Sequence, residues 1–198
     1  MTPTDQALRL LERVGIARTR DLERQGISRT QLQRLLARGL IERVGRGLYA
    51  LPGSPRTERH HLAVAARRVP DGVICLLTAL RFHGLTTQNP FEIWMAIDRK
   101  AWRPRADSPP LRLVYLSGLP LREGVEEHDV NGVAVRVFSP AKTVADCFKF
   151  RNRIGTDVAV EALRDYRRIH PKHLEAVWRF AQVDRVTRVI QPYLEAIG

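Results

Sequence analysis

Cysteine is scarce in this chain of 198 residues: Cys75 and Cys147 are the only two. Each sits in an apolar run, VICLL or ADCFKF, so buried free thiols are expected rather than a disulfide. Two isolated cysteines also build no zinc site. Apolar runs are too short to cross a bilayer, so no membrane partner is expected. The opening stretch, MTPTDQALRLLERVG, carries Asp5, Arg9, Glu12 and Arg13 and has no signal-peptide core, which sets a cytoplasmic expectation. Catalytic signatures are missing too. There is no Walker A loop, no Rossmann glycine pattern, no G-x-S-x-G and no HExxH. Neither repeats nor a low-complexity tract occurs.

Acids are few beside the bases. The chain has 33 Lys+Arg against 21 Asp+Glu, a net charge of +12. Its sequence pI is near 10.9. Lys100, Lys142, Lys149 and Lys172 are its only lysines, so the surplus is mostly arginine. The apolar fraction of 44% supports a real core and excludes disorder. A polyanion is the expected partner, nucleic acid first. The surplus is densest at the N-terminus: residues 1–56 hold 11 basic and 5 acidic residues, the remainder 22 and 16.

Three short helices are predicted in that dense segment. The first covers about Thr4–Val14, where Ala7, Leu8, Leu10, Leu11 and Val14 make a helical stripe, with Thr2 or Thr4 as cap. The second covers Thr19–Gln25, with Thr19 as cap, Asp21 and Glu23 in the first turn and Leu22 facing inward. Ser28 caps a third, Arg29–Arg38, which Gly39 ends. Leu32, Leu35 and Leu36 share its inner face. Its outer face carries Thr30, Arg34 and Ala37, flanked by Gln31 and Gln33, groups suited to base edges and phosphates. Arg29 and Arg38 complete the candidate DNA-binding set on this helix.

LIERV, then Gly45-Arg46-Gly47, then LYAL reads as a hairpin. Three helices and a hairpin make the plan of a winged helix-turn-helix. Arg46 stands at the wing tip, set to enter a minor groove or touch phosphate.

Pro52-Gly53-Ser54-Pro55 punctuates the chain and divides it into a winged helix-turn-helix DNA-binding domain at 1–54 and a second domain at 55–198. The second domain is predicted to open with a helix, Thr57–Arg68, capped by Thr57 with Glu58 in its first turn. A helix over Thr78–His83, a central strand over Phe91–Ile97 and a strand over Leu111–Leu116 follow. Val125–Val130 and Val133–Phe138 form a hairpin around Asn131-Gly132. Ser139 then caps a helix with Pro140 in its first turn. Further helices run from Thr156 or Asp157 to Tyr166, from Pro171 to about Ala181, and from Asp184 towards Ile197, bent at Pro192. The fold class is α+β, a winged helix-turn-helix followed by a small sheet with a helical C-terminal layer.

Other chemistry has partial signals. Asp71, an apolar strand and Asp98-Arg99-Lys100 match the spacing of PD-(D/E)xK nucleases, where two carboxylates hold a divalent metal and the lysine steadies the attacking water. Pro70-Asp71-Gly72 reads more simply as a turn, and a helix intervenes. His60 and His61 are adjacent and point to different sides; His170 and His173 flank Pro171-Lys172 at a helix start. No metal is assigned to either pair. Two basic clusters, Arg99, Lys100, Arg103, Arg105 and Lys149, Arg151, Arg153, fit nucleic acid, an acidic partner or a solvated face equally. A protein-interaction adaptor built on the winged helix is a third class, separable by its salt dependence.

The wing GRGLYAL, the segment TALRFHGL and above all SPAKTVADCFKFRNRIGTDVAVEALRDY, Ser139–Tyr166, give the chain its family likeness. Over nearly its whole length it resembles the AbiEi family of bacterial antitoxins. That resemblance implies the antitoxin of a type IV toxin–antitoxin system, of the abortive-infection kind, which is also a transcriptional autorepressor. The winged helix would bind inverted repeats in the double-stranded DNA of its own promoter, as monomer or dimer. The C-terminal domain would counter a nucleotidyltransferase-like toxin without forming a stable complex with it. No enzymatic activity and no cofactor are implied. By position in the motif, the DNA role falls on Thr30, Gln33, Arg34 and Arg46.

Overall fold

Short polar side chains set the helix starts at the N-terminus. In the computed structural model, which describes residues 2–53, 59–104 and 109–197, the Thr2 hydroxyl accepts from the Asp5 amide at 3.2 Å and the Asp5 carboxylate accepts from the Thr2 amide at 2.9 Å. This reciprocal pair opens α1, Pro3–Val14. β1, Ile16–Arg18, leads directly into α2, Thr19–Arg24. Thr19 is not the cap of α2. The Arg18 amide donates to the Asp21 carboxylate at 3.2 Å, which makes Arg18 the capping position, and the Thr19 hydroxyl turns to the Gly47 carbonyl at 3.3 Å. Ser28 caps α3, Arg29–Ala37, as expected. Gly39 ends it at φ 65° while the Leu40 amide closes back on the Leu35 carbonyl at 3.0 Å.

β2, Glu42–Gly45, and β3, Leu48–Ala50, form the hairpin. β1 joins them in a three-stranded antiparallel sheet of order β1-β3-β2. Ile16, Ala17 and Arg18 become a strand only by pairing with Ala50, Tyr49 and Leu48. Ala7, Leu11, Leu22, Leu32, Leu35 and Tyr49 meet in one core beneath the three helices. This is a winged helix-turn-helix. α4, His60–Arg68, follows. The expected cap Thr57, its neighbour Glu58 and the punctuation at Ser54-Pro55 lie outside the described residues.

The chain divides into two units. Unit 1 is Met1–Asp71 with Arg103–Pro110 and Glu127–Val135; unit 2 is Gly72–Trp102, Leu111–Glu126 and Arg136–Gly198. The expected boundary at 54–55 thus precedes the point where unit 1 gives way to unit 2.

The second half supplies β4, Val73–Ile74, α5, Leu76–Phe82, β5, Ile93–Asp98, and β6, Leu111–Leu116. A short α6, Leu119–Arg122, leads to β7, Val125–Val130, and β8, Val133–Phe138. The sheet order is β6-β5-β4-β8-β7, so β5 is interior, as its apolar run predicts. β5 runs parallel to β6 and antiparallel to β4, and β4 runs parallel to β8. Asn131 and Gly132 both take positive φ, 55° and 73°, which matches the twist of the flanking strands.

Ser139 accepts from the Lys142 amide at 3.4 Å and opens α7, Pro140–Lys149. Then come α8, Arg151–Ile154, α9, Thr156–Ile169, α10, Leu174–Val183, and α11, Thr187–Ile197. α5 starts at Leu76, two residues before the expected Thr78, and two starts in the C-terminal layer also differ from expectation. Pro171 does not open α10; α9 runs on to Ile169, and Pro171 lies in the turn closed by the His173 amide on the His170 carbonyl at 3.2 Å. The residue before a proline avoids the helical region, so α9 ends there. Asp184 belongs to the end of α10, and α11 begins at Thr187 with Pro192 inside it. Val144, Phe148, Leu163, Phe180 and Ile190 pack into the core of this half. Cys75 and Cys147 are buried and free.

Candidate nucleic-acid interface

The outer face of α3 presents Thr30, Gln33, Arg34 and Arg38 to solvent. Leu32 and Leu35, on the other side, are buried. This division follows from helical period alone. Two members of the expected set have local tasks. The Gln31 side chain accepts from the Ser28 amide at 2.7 Å while its own amide donates to the Ser28 hydroxyl at 3.2 Å. Gln31 therefore fixes the helix start. Arg29 Nε donates to Glu23 at 2.9 Å, tying the start of α3 to α2. Both groups are solvated, so that pair is worth little in stability.

Arg46 is exposed in a two-residue turn with Gly47. Gly45 is the last residue of β2, and of the two glycines only Gly47 takes a positive φ, 66°. A Cβ on Gly47 would lie 3.1 Å from the Thr19 hydroxyl. The Gly47 carbonyl accepts from the Thr19 amide at 2.9 Å, so the wing is fastened to the start of α2.

Beneath the wing, unit 1 holds a cavity of about 430 Å³ lined by Arg18, Arg20, Arg46, Arg67 and Arg68. Three of these arginines are anchored on backbone carbonyls. Arg18 donates to Arg67, Arg67 to Val14 at 3.1 Å, and Arg68 to Pro109 at 2.6 Å. Arg67 Nε is buried with no hydrogen-bond partner. Burial and then the nearby Arg20 pull the Arg18 guanidinium below its ordinary range, Arg67 adds to this, and Asp21 and Asp71 oppose it. Arg20 and Arg46 are exposed; Asp21 is 3.9 Å from Arg20. Crowded, partly desolvated cations attract an anion more strongly than the same charges spread in water. Sequence reasoning found Arg46 and missed Arg18, Arg20, Arg67 and Arg68. The signal was the Arg67-Arg68 pair ending α4, but nothing local shows α4 packed against β1.

The other candidates behave differently. Asp98 Oδ1 accepts from the Lys100 amide at 2.8 Å, closing the turn after β5. His60 is buried and His61 exposed, as their adjacency requires. The His173 ring lies 3.6 Å from Glu175, and the His170 ring packs at a tilt of 40° against Tyr166, centroids 4.9 Å apart. Among the described residues, no group of three or more His, Cys, Asp or Glu gathers as a metal site. Arg105 lies outside the described residues. Arg99 and Lys149, from the two separate basic clusters, line one cavity of unit 2. Among the described residues, no helix is long and apolar enough to cross a membrane.

Comparison with known families places the winged helix. Residues 5–52 match the family described as transcriptional regulator, AbiEi antitoxin. The match runs from α1 past the end of β3, and over that stretch it bears out the likeness drawn from the wing motif. No curated protein matches the chain.

Proposed function

We propose that this protein is an autorepressing antitoxin whose winged helix, residues 1–54, reads operator DNA in its own promoter. The observations that carry the reading all lie in unit 1: the exposed polar face of α3, the exposed Arg46 at the wing tip, and the cavity that Arg46 shares with Arg18, Arg20, Arg67 and Arg68. In such a domain the second helix of the pair enters the major groove and its exposed residues meet base edges. Thr30, Gln33 and Arg34 are the base readers in this reading, with Arg29 and Arg38 on flanking phosphates. Gln31 holds the helix start from which they project. Arg46 enters the minor groove, where a narrow groove concentrates negative potential. Arg18, Arg20, Arg67 and Arg68 follow the phosphate backbone, so the DNA surface extends past residue 54. Residues 55–198 form the domain that counters a nucleotidyltransferase-like toxin, without a stable complex and without a catalytic role of their own.

The test is a gel shift of the full chain on its own upstream DNA against random competitor. Arg34→Ala is expected to cost about 1–3 kcal/mol and to relax specificity. Arg46→Ala is expected to weaken binding and to flatten the salt dependence by about one charge if it meets phosphate. Unchanged affinity in both variants would remove the recognition surface. Leu32→Ala serves as the contrast: it empties core, costs about 2–5 kcal/mol of stability and acts on binding only through folding.

A further inference from the structure

Unit 2 contains a second cavity, of about 590 Å³, at the carboxyl ends of the parallel strands β5 and β6. Arg99 follows β5, and its amide donates to the Leu116 carbonyl at 3.0 Å, which joins the two strand ends. Lys149 and Phe150 enter from the end of α7, Asp184 and Arg185 from the end of α10, and Tyr115 from β6. The crevice beyond the carboxyl ends of parallel strands is where open α/β sheets hold ligands, and the volume suits a small molecule.

The charge balance of the wall is positive. Asp184, its one acid, is buried and paired with Lys142 Nζ at 3.1 Å, which lies outside the wall; Lys149, in the wall, also reaches it at 3.3 Å, and three wall cations still stand against the one acid. Arg99 and Arg185 are exposed and have no ion pair among the described residues. Arg185 also holds its place at a conformational cost. It sits at φ 58° just past α10, where the Val186 amide closes on the Ala181 carbonyl at 2.9 Å. This closing position is one that glycine normally fills, because a Cβ is unfavourable there. Among the described residues, no hydrogen bond or ion pair of its side chain accounts for an arginine at that position.

We propose that this cavity binds a phosphorylated nucleoside, with Arg99, Lys149 and Arg185 on the phosphates and Tyr115 and Phe150 against the base. Cations in a walled crevice select the anionic end. Aromatic faces accept any base by stacking, so the site distinguishes nucleotide from bare phosphate more sharply than one base from another. This assignment stands independently of the DNA reading, since none of its residues belongs to unit 1.

The experiment is titration calorimetry of the full chain with ATP, GTP, CTP and UTP, and with inorganic pyrophosphate as the base-free probe. The nucleotides are expected to bind, and more tightly than pyrophosphate. Arg99→Ala and Arg185→Gly are each expected to weaken nucleotide binding by about tenfold or more. Arg185→Gly relieves the backbone, so its thermal midpoint should equal or exceed that of the parent while affinity falls. That combination separates a ligand role from a structural one. Arg20→Ala, in the arginine cavity of unit 1, is expected to leave nucleotide binding unchanged. The proposal is overturned by absence of binding at millimolar nucleotide, by equal affinity for pyrophosphate, or by loss of binding in Arg20→Ala with none in the two unit 2 variants.

Discussion

Lys142 is wholly buried, and its position shows how a single residue can carry a pH dependence. Its ammonium lies 2.5 Å from Asp146 Oδ1, 3.1 Å from Asp184 Oδ2 and 4.7 Å over the Phe138 ring. Burial works against that charge, but Asp146 and Asp184 outweigh it and raise the lysine further. Two carboxyls share this lysine, and they are not equivalent. Asp184 also receives Lys149, whereas Asp146 Oδ2 is buried with no partner. Burial pushes Asp146 up to about 8, with the Asp184 charge adding to the effect and Lys142 opposing it. The buried thiols of Cys75 and Cys147 are raised well above their usual range and stay neutral beside it. The folded state therefore keeps a proton on Asp146 that the unfolded chain loses near pH 4. Its contribution to stability is complete below about pH 4 and is lost as pH rises towards about 8. Asp146→Asn has no such proton to lose. The thermal midpoint of this variant relative to the parent should rise with pH across that window. A difference that stays flat with pH would show Asp146 ionised throughout.

At the scale of elements, the legible parts are those whose signal is local. The β7–β8 hairpin and β6 could be read to the residue, because Asn131-Gly132 fixes a turn, and alternation marks β8 and β6. α1 and α3 were legible through Thr2, Ser28 and Gly39. β1 was not, because three residues acquire strand character only from β3. The arginine cavity was hidden for the same reason: α4 reaches the wing region by packing, which has no sequence period. The wing itself was half legible. Both of its glycines pointed to a tight tip, but only Gly47 takes the left-handed region, and a Cβ there would also crowd the Thr19 hydroxyl. Gly47→Ala is accordingly expected to destabilise the winged helix by about 1–2 kcal/mol, from the positive φ and the close hydroxyl together. Gly45→Ala, at a position without positive φ, should cost less. Chemical denaturation of the two variants checks this order, and equal losses would mean that the turn is not held at Thr19.

The whole molecule carries +12, and the distribution of that charge predicts how it meets a polyanion. Many of the N-terminal arginines are not consumed by the fold. Arg20, Arg34, Arg38 and Arg46 are all exposed, and the Arg29–Glu23 pair is solvated enough to open at little cost. Each cation that meets a phosphate releases a condensed counterion, so affinity should fall linearly in log–log form with salt, at a slope near −0.9 per contact. Six to ten contacts would lower affinity by about 10³–10⁵ between 50 and 200 mM salt. A winged helix acting as a protein adaptor would show a much shallower slope, since few of its charges would be neutralised at an interface of mixed sign. Removing Arg20, exposed in the cavity and not tied to a backbone carbonyl, should flatten the slope without altering the preference among sequences. Removing Arg34 should alter the preference more than the slope. Measuring both on specific and random duplexes therefore separates positioning from reading, and a steep slope on random DNA with no preference for the upstream sequence would leave a nucleic-acid binder that is not a repressor.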